Sequence, residues 1–535
     1  MAFFKYALFL SCLLSGGLLA QVADPVPDVQ PSALTFGLEP FVTVPNTNSG
    51  LPRARINLLR ELPDGSGRLF VNDLNGPGHL ILGDSVVEYL DLREEFPPFI
   101  DGPGKGTGFG AFAFHPEFGR NGKFYTTHAE QTGSGPVDFA PEFFGQIEME
   151  WVLVEWTASD PAANAFSGTR RELLRFSFPH FIHGLQDLSF NPTAAPGSPD
   201  YGLLYLCVGE GGSMQRGFTG NLQHPMAYQG TIFRLDPAGT NAANGQYGIP
   251  ADNPYAQDSS ALGEVWCSGF RNPHRLAWDP EGGPKVLVGD IGEANIEEVN
   301  LAVAGGNYGW HTREGTFEFR GQSQRGDVFS LPAQDSGYLY PVAQYDHDDG
   351  PAIVGGYVYR GTALPELDGQ YICGDIVNGR LFHAPVDSLV QGRQFPLQEI
   401  QIVDENGQPS SLVDAVVGTR MDLRFGQDAA GQVYLLTKAD GTIRRLVSTQ
   451  ASHRQDWPAP LQGTWGPNPA TDHVRWQGTA AEAPGLHFEL WGLDGRRYLA
   501  GQGPQVDLSV LPTGVYLLRW QGGRVQPGYQ LIRKD

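Results

Sequence analysis

Six short strand-like segments recur along this chain, each placed after a turn and each carrying one large apolar residue, here called the anchor. The anchors are Phe70, Tyr125, Tyr205, Leu287, Ile372 and Tyr434. Successive anchors are separated by 55, 80, 82, 85 and 62 residues, which is too irregular for a solenoid but suits one strand per four-stranded sheet with variable loops. Six such sheets arranged radially predict a six-bladed β-propeller. Generic hairpins in a β-sandwich remain the alternative, because a glycine followed by apolar residues is a common turn-strand signal.

Composition supports an all-β, loop-rich globular protein. The chain has 70 glycines and 41 prolines in 535 residues, and 41% of its residues are hydrophobic. That apolar content can bury a large core, which excludes disorder and collagen-like repetition. Few stretches show the apolar spacing of an amphipathic helix. The formal net charge of −23 disfavours nucleic acid and anionic membrane surfaces as partners.

The two ends of the chain differ from its middle. Residues 1–20 read as a signal peptide, because Lys5 precedes an apolar run and the small residue Ala20 precedes Gln21. The mature chain is therefore expected to be exported and to have no transmembrane segment. We predict the propeller over 28–447, a polar linker over 448–463 and a small β-sandwich over 464–535.

Three cysteines remain after the signal peptide, and each lies in an apolar, strand-like run. They are Cys207, Cys267 and Cys373. One disulfide at most is possible, but three small buried hydrophobic residues are the favoured interpretation.

Several long segments together resemble the soluble, pyrroloquinoline-quinone (PQQ) dependent glucose and sorbosone dehydrogenase family. These segments are Ala113–Phe118, Gly230–Asp236, Tyr247–Pro254, Gly263–Pro273, Gly289–Gly292, Glu297–Asn300, Gly305–Trp310 and Gly355–Gly361. They follow the family's order over roughly residues 35–447, and the resemblance implies a six-bladed propeller. Hedgehog-interacting-protein-like ectodomains share these segments without oxidising sugars, so the resemblance predicts the fold more firmly than the function.

Oxidation of an alcohol or hemiacetal needs a base for the hydroxyl proton, an acceptor for the hydride and positive charge near the reduced acceptor. His183 lies in Phe181–Pro192, a predicted junction between a loop and a strand. By resemblance it matches the family's catalytic base. A histidine with a purely structural role is the alternative.

Arg271 and Asn272 precede Pro273, which favours an extended conformation for Asn272. The resemblance implies that this pair contacts the quinone of PQQ, where a planar guanidinium suits two adjacent oxygens. An arginine that bridges two blades is the alternative.

The glycine-rich turn around Gly292 offers backbone carbonyls beside carboxylates, an oxygen-only set that suits calcium. By resemblance the carbonyls of Gly292 and Glu293 bind calcium beneath the quinone, and Glu298 and Tyr308 belong to a second, structural calcium site. A solvated acidic loop is the alternative. For the acidic segment 346–349 we favour a charged loop.

Four positions depart from the family pattern, which puts PQQ binding in question. They are Gly106, in place of a glutamine; Ile182, in place of an aspartate; and Thr419 and Met421, near two basic residues that clamp the cofactor. Arg420 and Arg424 are candidate, shifted substitutes for those basic residues. A tri-anionic cofactor needs such compensating charge.

The last 75 or so residues resemble the type A sorting domain of type IX secretion in Bacteroidota. The resemblance rests on Gly466–Asp472, Leu493–Gly495, Asp507–Leu518 and Tyr529–Lys534. It implies export across the outer membrane by the type IX secretion machinery, to the cell surface or the medium. A carbohydrate-binding sandwich is the alternative.

The sequence therefore predicts an exported enzyme that uses PQQ and calcium to oxidise a sugar-like alcohol or an aldose, and passes electrons to an external acceptor. The alternative is a non-catalytic cell-surface binding propeller with structural calcium. The sequence leaves the substrate, the acceptor and the oligomeric state open.

Overall fold

The computed structural model describes residues 22, 24–141, 145–321, 328–333, 335, 337–416, 418, 420–449, 463–478, 487–492, 496–503, 505–521 and 528–535. The chain divides into two compact units, residues 1–449 and 450–535. The predicted signal peptide, residues 450–462 of the predicted linker, and Thr419 lie outside the described residues.

Short strands build almost all of the first unit. In its first half they are β1 (Gln30–Thr43), β2 (Ile56–Glu61), β3 (Leu69–Asp73), β4 (Pro77–Leu82), β5 (Ser85–Asp91), β6 (Phe109–Phe114), β7 (Lys123–Glu130), β8 (Met149–Ala158), β9 (Gly168–Phe178), β10 (Leu185–Phe190), β11 (Leu204–Val208), β12 (Thr231–Leu235) and β13 (Val265–Ser268). In its second half they are β14 (Pro273–Trp278), β15 (Val286–Asp290), β16 (Ile296–Ala302), β17 (Arg313–Glu314), β18 (Phe317–Phe319), β19 (Val328–Phe329), β20 (Ala343–Asp346), β21 (Tyr357–Val358), β22 (Gln370–Gly374), β23 (Leu381–Pro385), β24 (Gln398–Val403), β25 (Pro409–Ser410), β26 (Leu423–Gln427), β27 (Val433–Thr437) and β28 (Thr442–Ser448).

Helices are confined to single turns in the described part of the chain. They are α1 (Leu92–Glu95), α2 (Phe118–Asn121), α3 (Leu412–Ala415) and the 3-10 turns Pro365–Leu367 and Val386–Ser388. None of these described helices is long and apolar enough to cross a membrane.

The strands of the first unit pair mainly in groups of four. Three separate sheets have the orders β6-β7-β8-β9, β10-β11-β12-β13 and β14-β15-β16-β20, and β17–β19 form a small extra sheet. The remaining strands follow one path, β21-β22-β23-β24-β1-β28-β27-β26-β2-β3-β4-β5. In this path β1 pairs antiparallel with β28, so the N-terminal strand completes the group that β26 begins.

A closed ring of strands surrounds the centre of the first unit. Around this ring β2 contacts β6, β6 contacts β10, β10 contacts β14, β14 contacts β21, β21 contacts β26, and β26 contacts β2. Each ring strand is the first strand of its group. A ring of first strands with four-stranded sheets radiating from it is the arrangement of a β-propeller.

The ring strands are buried on both faces, which explains their sequences. Every residue of β6, β10 and β14 is buried. Such strands are covered by neighbouring sheets on either side, so they show near-continuous apolar runs rather than alternation. Where polar residues do occur, they are paired: Asp187 on β10, for example, accepts hydrogen bonds from Arg60 on β2 and from the Leu276 amide on β14, both at 2.9 Å.

The C-terminal ends of the ring strands meet at one end of the axis. Arg60, Phe114, Phe190, Trp278 and Gln427 line a common cavity of about 630 Å³ there. The loops that precede the ring strands therefore meet at the opposite end, here called the mouth. Loops at the mouth carry His183, Arg271 and Arg420, which the sequence indicated for chemistry.

The three cysteines that follow the predicted signal peptide are buried and free, as predicted. Cys207 on β11 and Cys267 on β13 belong to the same sheet and to one apolar cluster, and Cys373 lies in another cluster. They behave as small core residues.

The second unit contains two small antiparallel sheets. Their orders are β29-β30-β33 and β32-β31-β34-β35. The strands are β29 (Gly463–Gly466), β30 (His473–Gly478), β31 (His487–Gly492), β32 (Arg497–Gln502), β33 (Gln505–Asp507), β34 (Gly514–Gln521) and β35 (Gly528–Lys534). Its core includes Trp465, Trp476 and Trp520. Residues 493–495, one of the segments on which the resemblance to the sorting domain rests, lie outside the described residues.

Candidate active site at the mouth of the ring

His183 lies in the loop before β10 and contacts a buried carboxylate. Its Nδ1 is 2.6 Å from Oε1 of Glu210, and only 14% of the imidazole is exposed. Glu210 is fully buried and also accepts hydrogen bonds from the amides of Gly212 and Met214, both at 2.9 Å. No described residue hydrogen-bonds the other ring nitrogen, Nε2.

Burial lowers the pKa of His183 below its ordinary value, and the nearby charge of Arg271 lowers it further. Burial alone would raise the pKa of Glu210, but its hydrogen bond to His183 brings that pKa below the ordinary value. At neutral pH the pair is therefore a neutral imidazole and a carboxylate. Because a carboxylate can only accept, Nδ1–H donates to Glu210 and Nε2 keeps its lone pair. This arrangement suits a general base.

The backbone around His183 is held in an uncommon conformation. His183 has φ = 54°, in the left-handed region that non-glycine residues rarely adopt. Gly209 permits the close approach of the two loops, since a Cβ there would lie 2.3 Å from the His183 carbonyl oxygen. Strain of this kind clusters at functional sites, where the surroundings fix it.

Glu210 is a candidate site residue that sequence reasoning missed. It lies 27 residues from His183, just after β11, in the glycine-rich segment 209–212. A single acidic residue in a loop carries no periodic signal. Its position among three glycines was the only available indication.

We predict that Glu210→Gln lowers the pKa of His183 still further. The negative charge of Glu210 favours the imidazolium, so its removal should leave the imidazole neutral to a lower pH. An NMR titration of the histidine ring signals measures this pKa, with His183→Ala to assign the signal. A His183 pKa that is unchanged or higher in Glu210→Gln would contradict the geometry described above.

Arg271 joins the His183 site from the loop before β14. Its carbonyl oxygen accepts a hydrogen bond from the Glu210 amide at 2.8 Å. The guanidinium is buried, forms an ion pair with Glu293 and donates to the Ile291 carbonyl at 3.1 Å. The structure therefore places Arg271 beside Glu210, the partner of His183. The charge of Arg271, however, is already balanced by Glu293.

Asn272 is buried beside Arg271. Its backbone N–H donates to Oδ1 of Asp290 at 2.7 Å. The side-chain oxygen of Asn272, its own Oδ1, is buried and has no partner in the described part of the chain. A buried carbonyl oxygen without a donor is costly, so this atom is a candidate for ligand contact.

The predicted calcium turn offers free backbone oxygens. No hydrogen bond among the described residues uses the carbonyl oxygen of Gly292 or Glu293. Glycine is required at 292, since a Cβ would lie 1.8 Å from the Ile296 carbonyl oxygen. Uncommitted carbonyls on a tight turn fit the oxygen chemistry that calcium prefers.

Glu298 and Tyr308, assigned by resemblance to a second calcium site, have different surroundings. Glu298 is buried opposite Asp290 on the paired strands β15 and β16. Burial and the charge of Asp290 raise the pKa of Glu298. The Tyr308 hydroxyl donates to the Leu301 carbonyl at 2.7 Å and accepts from the Val303 amide at 3.1 Å, so it is already engaged in the fold.

The two arginines expected to compensate the cofactor's charge have different positions. Arg424 is buried within the ring, where its Nε donates to Asn57 Oδ1 at 2.9 Å. Burial lowers the pKa of Arg424 to about 9. Arg420 is one third exposed, with its Nε 2.7 Å from Asp422, and lines a cavity of about 310 Å³ at the mouth. Of the two arginines, Arg420 is better placed to contact a bound anion, because it lines this cavity and Arg424 does not.

The positions that depart from the family pattern also have structural counterparts. Met421 is fully buried in the core, and Ile182 is half-buried beside His183. At Gly106 a Cβ would lie 3.4 Å from the side-chain oxygen of Gln186. The side-chain amide of Gln186 therefore lies next to Gly106, the position at which the family pattern has a glutamine.

The chain is similar to several known proteins. The family model described as Glucose / Sorbosone dehydrogenase matches residues 196–445. HIPL1 protein of Arabidopsis thaliana is 27% identical over 432 residues, covering 71% of this chain and 60% of that protein. Hedgehog-interacting protein of Homo sapiens is 26% identical over 391 residues, covering 70% of this chain and 47% of that protein.

Among solved structures, the PQQ-bound form of aldose sugar dehydrogenase from Streptomyces coelicolor matches with a TM-score of 0.50 at 19% identity. The match covers 78% of this chain and 99% of that structure. It shows a shared fold and confirms the predicted β-propeller.

These findings show a β-propeller fold and a similarity to the glucose/sorbosone dehydrogenase family. The similarity to the family model covers residues 196–445, and hedgehog-interacting protein is among the proteins that the chain is similar to. The chain spans about 60% of the length of the plant relative and less than half of the human one.

Proposed function

We propose that this protein is an exported dehydrogenase that uses PQQ and calcium to oxidise a sugar-like alcohol or an aldose and passes the electrons to an external acceptor. The observation that carries the proposal is the pair of His183 and Glu210 at the mouth. Glu210 fixes the Nδ1–H tautomer of His183, which leaves Nε2 available to accept a substrate proton. Arg271 and Asn272 lie in the adjacent loop.

The residues present fit both groups in their donor chemistry. For PQQ, Asn272 offers a side-chain Oδ1 that has no partner among the described residues, and Arg271 and Arg420 offer guanidinium groups that Glu293 and Asp422 already pair. For calcium, the free carbonyls of Gly292 and Glu293 offer oxygen ligands. Glu298 and Tyr308 remain candidates for a second calcium site by resemblance alone.

The chain's own residues would act on the hydroxyl group of the substrate. Nε2 of His183 would take the hydroxyl proton as the carbon–hydrogen bond breaks. The carboxylate of Glu210 would stabilise the imidazolium that forms, and its buried hydrogen bonds keep it ionised. When bound, PQQ would supply the acceptor for the hydride that leaves the carbon.

A second candidate function is a non-catalytic cell-surface binding propeller with structural calcium. The ion pair between Arg271 and Glu293 favours it, because it uses a cation that the cofactor would otherwise contact. The relationship to hedgehog-interacting protein is consistent with this alternative.

We expect calcium removal to separate thermal stability from turnover. Chelation should lower the melting temperature under either function, because an ion that binds only the folded state at 100 times its Kd contributes about 2.7 kcal/mol. Only the dehydrogenase should then lose dye reduction with an aldose panel in the presence of PQQ, and regain it when calcium is added. If chelation changes neither property, the calcium proposal is wrong; if no aldose reduces the dye under any condition, the binding function is favoured.

The remaining architecture supports the proposal. We infer six blades, since six ring strands each begin a group of four. For the second unit we infer a sandwich of its two sheets that acts as a type IX sorting domain, which together with the signal peptide would deliver the enzyme to the cell surface or the medium. Mass spectrometry of protein recovered from the medium would test both ends for cleavage.

A further inference from the structure

A separate cavity of about 500 Å³, here called the peripheral cavity, is lined by none of the residues His183, Glu210 and Arg271. It is bordered by parts of three loops: the loop between β7 and β8, the loop between β11 and β12, and the loop between β12 and β13. Two neighbouring sheets of the ring therefore contribute to it. Its volume falls within the range of small-molecule sites, about 300–1,000 Å³.

The described walls of the peripheral cavity combine aromatic rings with acidic side chains. The rings belong to Phe139, Phe218, Tyr228 and Tyr247, and the acidic side chains are Asp138 and Glu264. No lysine or arginine is among the described residues that line the cavity. The described lining therefore offers two carboxylates and no guanidinium or ammonium group to balance them.

Glu264 is a buried carboxylate that makes no ion pair in the described part of the chain. It directly precedes β13 and is 6% exposed. Its Oε1 accepts a hydrogen bond from the Tyr247 hydroxyl at 2.8 Å, and no described residue hydrogen-bonds its Oε2. Arg234 donates its backbone N–H to the Glu264 carbonyl at 2.9 Å, but its guanidinium pairs with Asp200 and Asp252. A buried charge is costly unless it is paired, so Oε2 of Glu264 indicates a cationic ligand.

Asp138 supplies the second carboxylate from the loop between β7 and β8. Its Oδ2 accepts a hydrogen bond from the Arg175 backbone N–H at 2.8 Å, and its Oδ1 accepts one from the Asn244 side chain at 2.9 Å. The guanidinium of Arg175 makes its ion pairs with Glu130, Glu150 and Glu172. The carboxylate of Asp138 is therefore held in place by neutral donors and adds negative charge to the cavity.

Gln229 is a further polar residue of the cavity wall. It precedes β12, is 4% exposed, and its side-chain amide makes no hydrogen bond with a described residue. An amide in such a position loses free energy unless a ligand or water contacts it. Its carbonyl oxygen can accept a hydrogen bond from the same cation that pairs with Glu264.

The aromatic rings favour a ligand with the same charge. The ring centroids of Phe139 and Tyr228 are 6.0 Å apart, so the two rings form one continuous part of the wall. The face of an aromatic ring carries negative potential and attracts a cation, most strongly where water is excluded. The rings also provide apolar surface for the rest of the ligand.

We propose that the peripheral cavity binds a small organic cation, namely a protonated primary amine with an aromatic or aliphatic body. The ammonium group would donate hydrogen bonds to Oε2 of Glu264 and to the side-chain carbonyl of Gln229. The body of the amine would pack against Phe139 and Phe218. This site does not depend on the proposed dehydrogenase function, because it shares no lining residue with the candidate active site.

The test uses the full chain without PQQ and two probes, benzylamine and its neutral counterpart benzyl alcohol. Isothermal titration calorimetry at neutral pH would measure each Kd for wild type and for Glu264→Gln, whose amide oxygen can still accept from Tyr247. We expect the Kd of benzylamine to be at least about tenfold weaker in Glu264→Gln, because a buried charge pair is lost. Benzyl alcohol should bind both proteins equally, and more weakly than benzylamine binds wild type.

Glu61→Gln is the matched control for the loss of one negative charge. Oε2 of Glu61 accepts a hydrogen bond from the Ala429 backbone N–H at 2.9 Å, and Glu61 does not line the peripheral cavity. This variant should bind benzylamine with the wild-type Kd. An equal weakening in Glu61→Gln and Glu264→Gln would mean that benzylamine responds to net charge alone, and would overturn the inference.

Thermal melting shows whether Glu264→Gln folds. Without ligand it should melt at or above the temperature of wild type, because it loses an unpaired buried charge and keeps the hydrogen bond of Tyr247. Benzylamine should raise the melting temperature of wild type and leave that of Glu264→Gln unchanged. If Glu264→Gln does not fold, Asp138→Asn provides the comparison, with an expected weakening of about threefold, the size of a partly exposed charge pair.

Three further results would overturn the inference. They are an equal benzylamine Kd in wild type and in a folded Glu264→Gln, an equal Kd of wild type for the two probes, and no binding of benzylamine to wild type at millimolar concentration. Binding of a lysine-rich peptide without binding of benzylamine would assign the cavity to a protein partner and would also contradict it. Dye reduction with aldoses tests the proposed function separately, so failure of one leaves the other standing.

Discussion

His183→Ala is expected to reduce aldose-dependent dye reduction by about 100- to 10,000-fold, the range that a positioned general base contributes. The loss should fall on kcat rather than on cofactor affinity, because the imidazole is assigned to proton removal and not to holding the cofactor. Steady-state kinetics with added PQQ and calcium would measure kcat, and a PQQ titration would measure affinity separately.

His224→Ala is the matched control for this experiment. His224 lies in another loop, where its Nδ1 accepts a hydrogen bond from the Met226 amide at 3.1 Å. It should retain wild-type activity. Undiminished turnover in His183→Ala, or an equal loss in both variants, would remove His183 from the mechanism.

Asp187→Ala is expected to lower the free energy of unfolding by about 3–5 kcal/mol, the cost of breaking a buried ion pair. Asp187 is fully buried on β10 and accepts hydrogen bonds from Arg60 and from the amides of Leu188 and Leu276, each at 2.9 Å. These bonds connect β10 to β2 and β14. The substitution leaves the guanidinium of Arg60 unpaired in the ring.

Chemical denaturation followed by near-ultraviolet circular dichroism would measure this change. Asp84→Ala, in the exposed turn between β4 and β5, is the matched control and should leave the midpoint unchanged. A shift of less than about 1 kcal/mol in Asp187→Ala, within the range of ordinary surface substitutions and small core changes, would show that the ring does not depend on this ion pair.

The fold could be predicted because its signal is repeated. Phe70, Tyr125, Tyr205, Leu287 and Ile372 all lie buried in strands, and the turns before them recur along the chain. A repeated pattern survives irregular loop lengths, since each sheet of a propeller folds against the same kind of neighbour.

The site could be predicted only in part. His183 and Arg271 could be located because they lie in segments that resemble the family, Phe181–Pro192 and Gly263–Pro273. Both residues lie in loops that precede ring strands. Glu210 could not be found in this way, because its contact with His183 depends on two separate loops meeting in space. Arg424 lies inside the ring because it is on strand β26, a register that the sequence alone did not reveal.

The balance of charge at the mouth separates the two proposed functions. An enzyme must leave enough positive charge for a tri-anionic cofactor, whereas a binding propeller need not. Arg271 is paired with Glu293 and Arg420 with Asp422, whereas Nζ of Lys438, which lines the same cavity as Arg420, has no hydrogen-bond partner among the described residues. The dehydrogenase proposal therefore depends on this part of the mouth as well as on His183.

The most direct test of the dehydrogenase proposal is the absorbance spectrum of the PQQ-loaded, calcium-loaded protein under anaerobic conditions, before and after an aldose is added. We predict that the bound quinone is reduced within seconds by wild type, and that His183→Ala binds PQQ but leaves it oxidised. Bound PQQ that stays oxidised in wild type with every aldose tested, or a wild type that binds no PQQ, would contradict the account.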